Sequence, residues 1–238
     1  MCRAFFSAQG TFLFWGGENV VIGEPIRAKV LASRIISNVD PGLANKLNLA
    51  THIRSLALVT LTIDDVGYTA LDEATKKAAV EVVYAKSFYA GSAHASGPLS
   101  GEFIGILGGE NPSDVKSGLE AVFEMIENGP CFYSLNEEGS HAYYAYTISR
   151  TGSYLSKIAG IQPGEPLAYL IAPPLEAMYG LDAALKASDV KICELYAPPT
   201  ETNFGGGLLT GSQSACTAAA QAFAEAVQNV ARHPHKSF

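Results

Sequence analysis

The pair Asp64-Asp65, set in IDDVGY at the end of an apolar run, is the charged feature with the most chemical potential. Two adjacent carboxylates could serve as a general acid and base, cap the next element, or hold a cation. On an extended chain neighbouring side chains point to opposite faces, so a catalytic dyad would need a bend here. The stretch GGGLLTGS at 205–212 invites a phosphate-cradle reading. It lacks the lysine and hydroxyl residue that close a P-loop, and no GxGxxG opens a helix. Its glycines are read instead as points of close backbone approach in a strand. His52, His94 and His141 fall in separate loops, and His233 and His235 form an HPH without an acidic or cysteine neighbour. No metal site is expected from that spacing. No G-x-S-x-G elbow marks a serine nucleophile. Cys2, Cys131, Cys193 and Cys216 show neither CxxC pairing nor a regular framework, which reads as free thiols in a reducing compartment. The expectation is no catalytic residue, no cofactor and no metal.

The elements that would position these residues are built from an apolar, weakly charged chain. Of its 238 residues 48% are hydrophobic and 16% charged, the latter below the roughly 25% usual for soluble domains. A sparsely charged surface fits a protein covered by copies of itself. The formal charge of −7 and a pI near 5.2 exclude a nucleic-acid footprint, which is basic. No apolar run approaches the ~18 residues of a membrane span. Residues 1–22 stand apart. Arg3 precedes apolar residues, but Gln9, Gly10 and Thr11 interrupt them, and the segment carries the single tryptophan, Trp15. It is read as an appended extension or an early translation start.

Periodicity predicts a strand at 30–37, then a short helix to Leu47 with Asp40 as N-cap and Pro41 in the first turn. Strands follow at 55–62, 80–86 and 102–108, with a helix at 70–78. A loop of Gly, Ser, Ala and His covers 91–101. A long helix opens at Asn111-Pro112-Ser113 with Val115, Leu119, Val122, Phe123 and Ile126 on one face. The second half predicts strands at 143–149, 167–171, 189–196 and 204–210. Its helices are expected at 152–159 and 175–187, with an Ala-rich helix at the end that carries Phe223, Val227 and Val230. GPCFYSLNEEGSH (129–141) reads as a linker between the halves. Strands alternating irregularly with helices indicate an α+β fold with mixed sheets.

The order of elements is the same twice, and the residues agree. LDEATKKAAV at 71–80 is echoed by LDAALKASDV at 181–190. Ile36-Ser37 falls on Ile148-Ser149, Leu43 on Leu155 and Leu58-Val59 on Leu170-Ile171, all at a shift of 112. GILGG (105–109) falls on GLLTG (207–211) at a shift of 102. The shrinking shift is what small loop deletions produce. The chain is therefore read as an internal duplication.

The runs ISNVD, IRSL, IDDVGYTALDEATK, VEVVYAKSFYAG, GEFIGILGGENP, SRTGSYLSKIAG, IAPPLEAMYGLDAALK, PPTETNF and LTGSQSAC resemble the EutL family of shell proteins from ethanolamine-utilisation microcompartments. The resemblance covers about residues 24–234, and SRTGSYLS, APPLEA and ETNF followed by LTGSQ carry its specificity. Gly67 departs from it, because the family commonly has threonine there. The resemblance implies two tandem, circularly permuted microcompartment domains of ferredoxin-like type, at 23–132 and 133–238, with 1–22 as an extension outside them. It implies a pseudohexameric homotrimer that tiles, with other shell proteins, into the shell of a cytoplasmic microcompartment, with no nucleic acid or membrane partner. It also implies ethanolamine as pore ligand in a small channel of each subunit. That channel would be lined by Asp64, Asp65, Glu102 and Phe132 from the first half and Thr202, Asn203 and Phe204 from the second. Carboxylates would attract the ammonium through charge-assisted hydrogen bonds, and an aromatic face would add cation–π attraction.

Three other readings stay open at this point. One is an enzyme using Asp64, Asp65 and Glu102 as acid/base groups or metal ligands. A second is a trimeric small-molecule sensor, and a third is a tandem shell protein of a propanediol or choline compartment.

Overall fold

The computed structural model describes residues 23–89 and 98–235. The extension at 1–22, and His94 with most of its loop, lie outside the described residues. The elements run β1 (Pro25–Ile26), β2 (Val30–Ile36), α1 (Pro41–Lys46), β3 (Ser55–Leu61), α2 (Asp64–Lys77), β4 (Glu81–Ser87), β5 (Phe103–Gly109) and α3 (Pro112–Asn128). The chain continues with β6 (Phe132–Ser134), β7 (Ala142–Ile148), α4 (Ser153–Ala159), β8 (Leu167–Ala172), α5 (Pro174–Ala187), β9 (Val190–Tyr196), β10 (Gly205–Gly211) and α6 (Gln213–Arg232).

The duplication is carried by topology. One sheet has the order β2-β3-β5-β4 and the other contains β7-β8-β10-β9, so each strand of the first half has a counterpart in the same place. Every pairing among the described strands is antiparallel, in place of the mixed sheets expected. The reason is the third strand. Helix α2 carries the chain from β3 to β4 as a crossover would, but β5 then inserts between them and runs against both; β10 does the same between β8 and β9. The expected linker is also structured. Within it Phe132–Ser134 pairs with Pro25–Ile26 on one side and with β7 on the other, extending the second sheet to six strands.

The pairing corrects one residue of the repeat. Ile36 faces Leu56 and Ile148 faces Leu167, so β3 and β8 correspond at a shift of 111 rather than 112. Leu58 therefore matches Tyr169, not Leu170. A one-residue slip exchanges the two faces of a strand, so the difference decides what each side chain touches.

The helices follow from their caps and stripes. Asp40 caps α1 by accepting from Gly42 N–H at 2.8 Å and Leu43 N–H at 3.3 Å. In α3, Pro112 stands in the first turn and Val115, Leu119, Val122 and Ile126 are buried as expected, each worth about 1.5–3 kcal/mol relative to exposure. Helix α2 begins at Asp64, six residues before the expected start, with Asp64 Oδ1 accepting from the first-turn Asp65 N–H at 2.9 Å. The acidic pair therefore opens a helix instead of ending a strand.

Four layers result. The face of the first sheet carrying Ala57, Val59 and Leu61 packs on α2 and α3, and its other face, with Leu56 and Ile106, is covered by the α1 region. Strand β8 is buried on both faces. Ala168, Leu170 and Ala172 meet α5 and α6, while Leu167, Tyr169 and Ile171 join the core of the first half. The two halves thus share one continuous core. Asp72 of α2, 1% exposed, ties them further. Its carboxylate accepts from Gly152 N–H at 2.7 Å and Leu155 N–H at 2.8 Å, capping α4, which has no side-chain cap of its own.

Candidate functional site between the halves

Strands β3, β4 and β5 bring three segments together at one end of the first sheet. Glu102 N–H donates to Leu61 O at 3.0 Å and Phe88 N–H donates to Glu102 O at 3.0 Å. Glu102 therefore sits beside the ends of β3 and β4, where α2 begins. From the second half comes the loop 197–204. Thr200 N–H bonds to Phe204 O and Asn203 N–H to Thr200 O, with Asn203 at φ 66° turning the chain. The loop lays Thr202 against α2, and the Thr202 hydroxyl donates to Asp64 Oδ2 at 3.4 Å.

A cavity of about 240 Å³ opens where these segments meet. Asp64, Asp65, Thr202 and Phe204, four of the seven residues the resemblance implied, line it together. Glu102 does not line the cavity but lies within reach of the Asp64 charge. Phe132 is 2% exposed and packs into the core, touching the site through Phe204 edge-on at 5.8 Å between ring centroids. Asn203 is exposed and shapes the loop without lining the cavity.

The remaining wall combines four tyrosines with Lys86, Ser87 and Glu201 and with aliphatic side chains of α4 and β8. Tyr68 of α2, Tyr154 of α4, Tyr169 of β8 and Tyr196 of β9 line the cavity, and the sequence reading missed all four. Their signal was weak but present. A tyrosine on an inward strand position must find a partner for its hydroxyl, and the Tyr169 hydroxyl does so by donating to Asp65 Oδ1 at 2.7 Å. Tyr68 Oη lies 2.8 Å from Ser87 Oγ.

Burial governs the electrostatics. Asp64 and Asp65 are 6% and 7% exposed. Desolvation raises the Asp64 carboxyl above its ordinary value, against hydrogen bonds that lower it. Asp65 is raised well above, first by burial and then by the charge of Asp64, with the Tyr169 hydroxyl pulling the other way. Glu102 is pushed up to about 8 by burial and by Asp64. Buried carboxyls that resist ionising together are stabilised as anions by a cation close to them. The arrangement is suited to a small ammonium. Among the described residues no three His, Cys, Asp or Glu side chains are grouped to hold a metal, and no helix is long and apolar enough to cross a membrane.

Residues 55–135 match the BMC domain family, and the same topology recurs in the second half, which defines a tandem BMC-domain protein. Bacterial microcompartment shell protein EutL of Clostridium perfringens is 64% identical over 209 residues, covering 88% of this chain and 96% of the relative. The crystal structure of ethanolamine utilization protein EutL from Leptotrichia buccalis superposes with a TM-score of 0.88 at 60% identity, covering 91% of this chain and all of that one. The trimeric shell protein PduB shares the fold, with a TM-score of 0.71 at 17% identity over 86% of this chain and 89% of its own. The chain belongs to the EutL family of bacterial microcompartment shell proteins. Its role is structural, as a component of that shell.

Proposed function

We propose that the chain forms a homotrimeric tile in the shell of an ethanolamine-utilisation microcompartment in the cytoplasm, and that ethanolamine occupies the cavity between its two halves. It turns over no substrate. The observation that carries the ligand is the joint lining by Asp64, Asp65, Phe204 and Thr202, backed by Glu102. Carboxylates take the ammonium, the Phe204 ring adds cation–π attraction, and the Thr202 hydroxyl stands near for the alcohol. The name of the Leptotrichia relative, an ethanolamine utilization protein, points to the same compound. Ethanolamine in this cavity is admitted through the tile or sensed by it, biasing a larger central gate.

The trimer is supported by a comparison of the halves, which we take as two circularly permuted domains at 23–132 and 133–238. Within the chain, α2 of the first half docks on the second, with Thr69 3% exposed and Leu155 of α4 fully buried beneath it. The counterparts are uncovered. On α5, Leu175, Met178 and Tyr179 are 65%, 45% and 52% exposed, and Leu43 of α1, the repeat of Leu155, is 43% exposed. These two unsatisfied surfaces are the two sides of the same joint, and a second copy satisfies both. Such a heterologous contact closes into a ring when the rotation allows, and three copies give six similar sectors. Leu175 and Met178 stand where Asp65 and Tyr68 stand in the first half, so each chain carries one carboxylate site.

Mass photometry should read three times 25.1 kDa; a strict monomer would refute the ring. Titration calorimetry should show ethanolamine binding that weakens about ten- to a hundredfold in Asp65→Asn, the loss of a charged hydrogen bond of roughly 1.5–3 kcal/mol. Equal affinity in Asp65→Asn and Glu102→Gln would end the ligand assignment.

A further inference from the structure

The surroundings of Asp65 disfavour its charged form. It is buried in the first turn of α2 with Asp64 beside it, and Glu102 approaches from the residue before β5. Four tyrosines also face it, Tyr68 from its own helix, Tyr144 from β7, Tyr169 from β8 and Tyr196 from β9, and Lys86 of β4 and Glu201 of the 197–204 loop line the same cavity. Burial, Asp64 and Glu102 all favour the neutral acid. The Tyr169 hydroxyl, donating to Asp65 Oδ1 at 2.7 Å from 104 residues away, opposes them.

That hydroxyl is held in place. The Tyr169 ring is 2% exposed, edge-on to Tyr144 at 5.4 Å and tilted against Tyr196 at 6.3 Å between centroids. Tyr144 is itself fixed through its hydroxyl, 3.0 Å from Thr69 Oγ1, and Thr69 donates to the backbone carbonyl of Asp65 at 3.1 Å. The aromatic group on the second half and the acidic turn on the first are therefore locked at two points. A donor pre-set against one carboxylate oxygen favours the charged form and fixes its orientation.

We propose that Tyr169 is the positioning residue of the site: its hydroxyl orients Asp65 toward an ammonium ligand across the joint between the halves and favours its charged form against burial and the neighbouring Asp64. The proposal rests on the ligand reading above for its ligand and on the Tyr169–Asp65 contact for its mechanism. Removing the hydroxyl while keeping the ring raises the pH at which Asp65 ionises, and ammonium binding follows it upward.

The test is Tyr169→Phe in the full-length protein, read in two ways. First, the Asp65 carboxyl is titrated without ligand by carbon-13 NMR on aspartate-labelled protein, its signal assigned by its loss in Asp65→Asn. The midpoint should rise by about one pH unit or more in Tyr169→Phe, and an unmoved midpoint overturns the proposal. Secondly, ethanolamine affinity is measured by calorimetry between pH 6 and 9. Tyr169→Phe should weaken it about tenfold near pH 7, recover most of the loss at high pH, and add nothing in the Asp65→Asn background. A loss that is the same at every pH overturns the proposal, since a merely structural role would produce that. Failure of the wild-type protein to bind ethanolamine at any pH refutes the ligand reading alone, and the NMR midpoint still decides the role of Tyr169.

Discussion

Asp72→Ala would open the joint between the halves at its most economical point. The buried carboxylate satisfies two backbone donors at the start of α4, Gly152 N–H at 2.7 Å and Leu155 N–H at 2.8 Å. Hydrogen bonds to a charged group contribute roughly 1.5–3 kcal/mol each. Burial works against that gain, because it raises the Asp72 carboxyl above its ordinary value despite those same bonds. A net loss of about 2–4 kcal/mol is expected, the upper end reflecting two donors left buried and unpaired. The duplication supplies its own control. Asp182 is the repeat of Asp72, yet its carboxylate pairs with Lys186 at 2.6 Å on the surface, with the two side chains 60% and 75% exposed. Asp182→Ala should cost no more than about 0.5 kcal/mol. Urea unfolding of both variants at one protein concentration reads the difference. At an m value near 2 kcal/mol per molar, Asp72→Ala should lower the midpoint by about 1–2 M and Asp182→Ala barely at all. Equal midpoints in the two variants would refute the capping argument.

Three further outcomes are expected. Glu102 is raised from 4.5 to about 8, so the folded state holds its proton more tightly. Its stabilising contribution is whole below about pH 4.5 and is lost as pH rises through about 8. Melting temperature should therefore fall more steeply between pH 5 and 8.5 in the wild type than in Glu102→Gln, and parallel curves would contradict this. Gly206 has φ 153° and a Cβ there would stand 1.9 Å from the Leu170 carbonyl oxygen, whereas one at Gly160, φ 64°, meets nothing within 4 Å. Gly206→Ala should destabilise by more than about 3 kcal/mol or yield insoluble protein, against about 1–2 kcal/mol for Gly160→Ala, as thermal melts would show. Leu175→Glu places a charge on the uncovered face of α5; mass photometry should find it monomeric while its circular dichroism is unchanged, and an intact trimer would remove that face from the joint.

Periodicity, caps and turn residues located most of the elements, because those signals act within a few residues of one another. The Asp40 cap, the Pro112 start and the α3 stripe stand where the sequence placed them. So does the order of elements in both halves, since a duplicated chain repeats its local instructions. Local signals misplaced the start of α2, because Ile63 offers no capping side chain and Asp64 and Asp65 lie within the first turn. They also missed β1 and β6, two short strands; β1 pairs only with β6, more than a hundred residues away, Pro25 with Tyr133 and Ile26 with Phe132, and β6 is held between β1 and β7.

The site was legible only in part. Asp64 and Asp65 stood out as a charged pair, and Thr202 and Phe204 entered through the family resemblance. Tyr154, Tyr169 and Tyr196 could not be seen to share a cavity with them, because each lies on a different element of the other half. The sequence determined that the chain says the same thing twice. Tertiary structure decided what each copy means. Asp72 caps a buried helix while Asp182 meets solvent, and Leu155 is buried while Leu43 is not. The physical reason is that a repeat fixes backbone and pattern, whereas burial depends on which neighbour covers the face. Within one chain the first half's helix has a neighbour and the second half's does not.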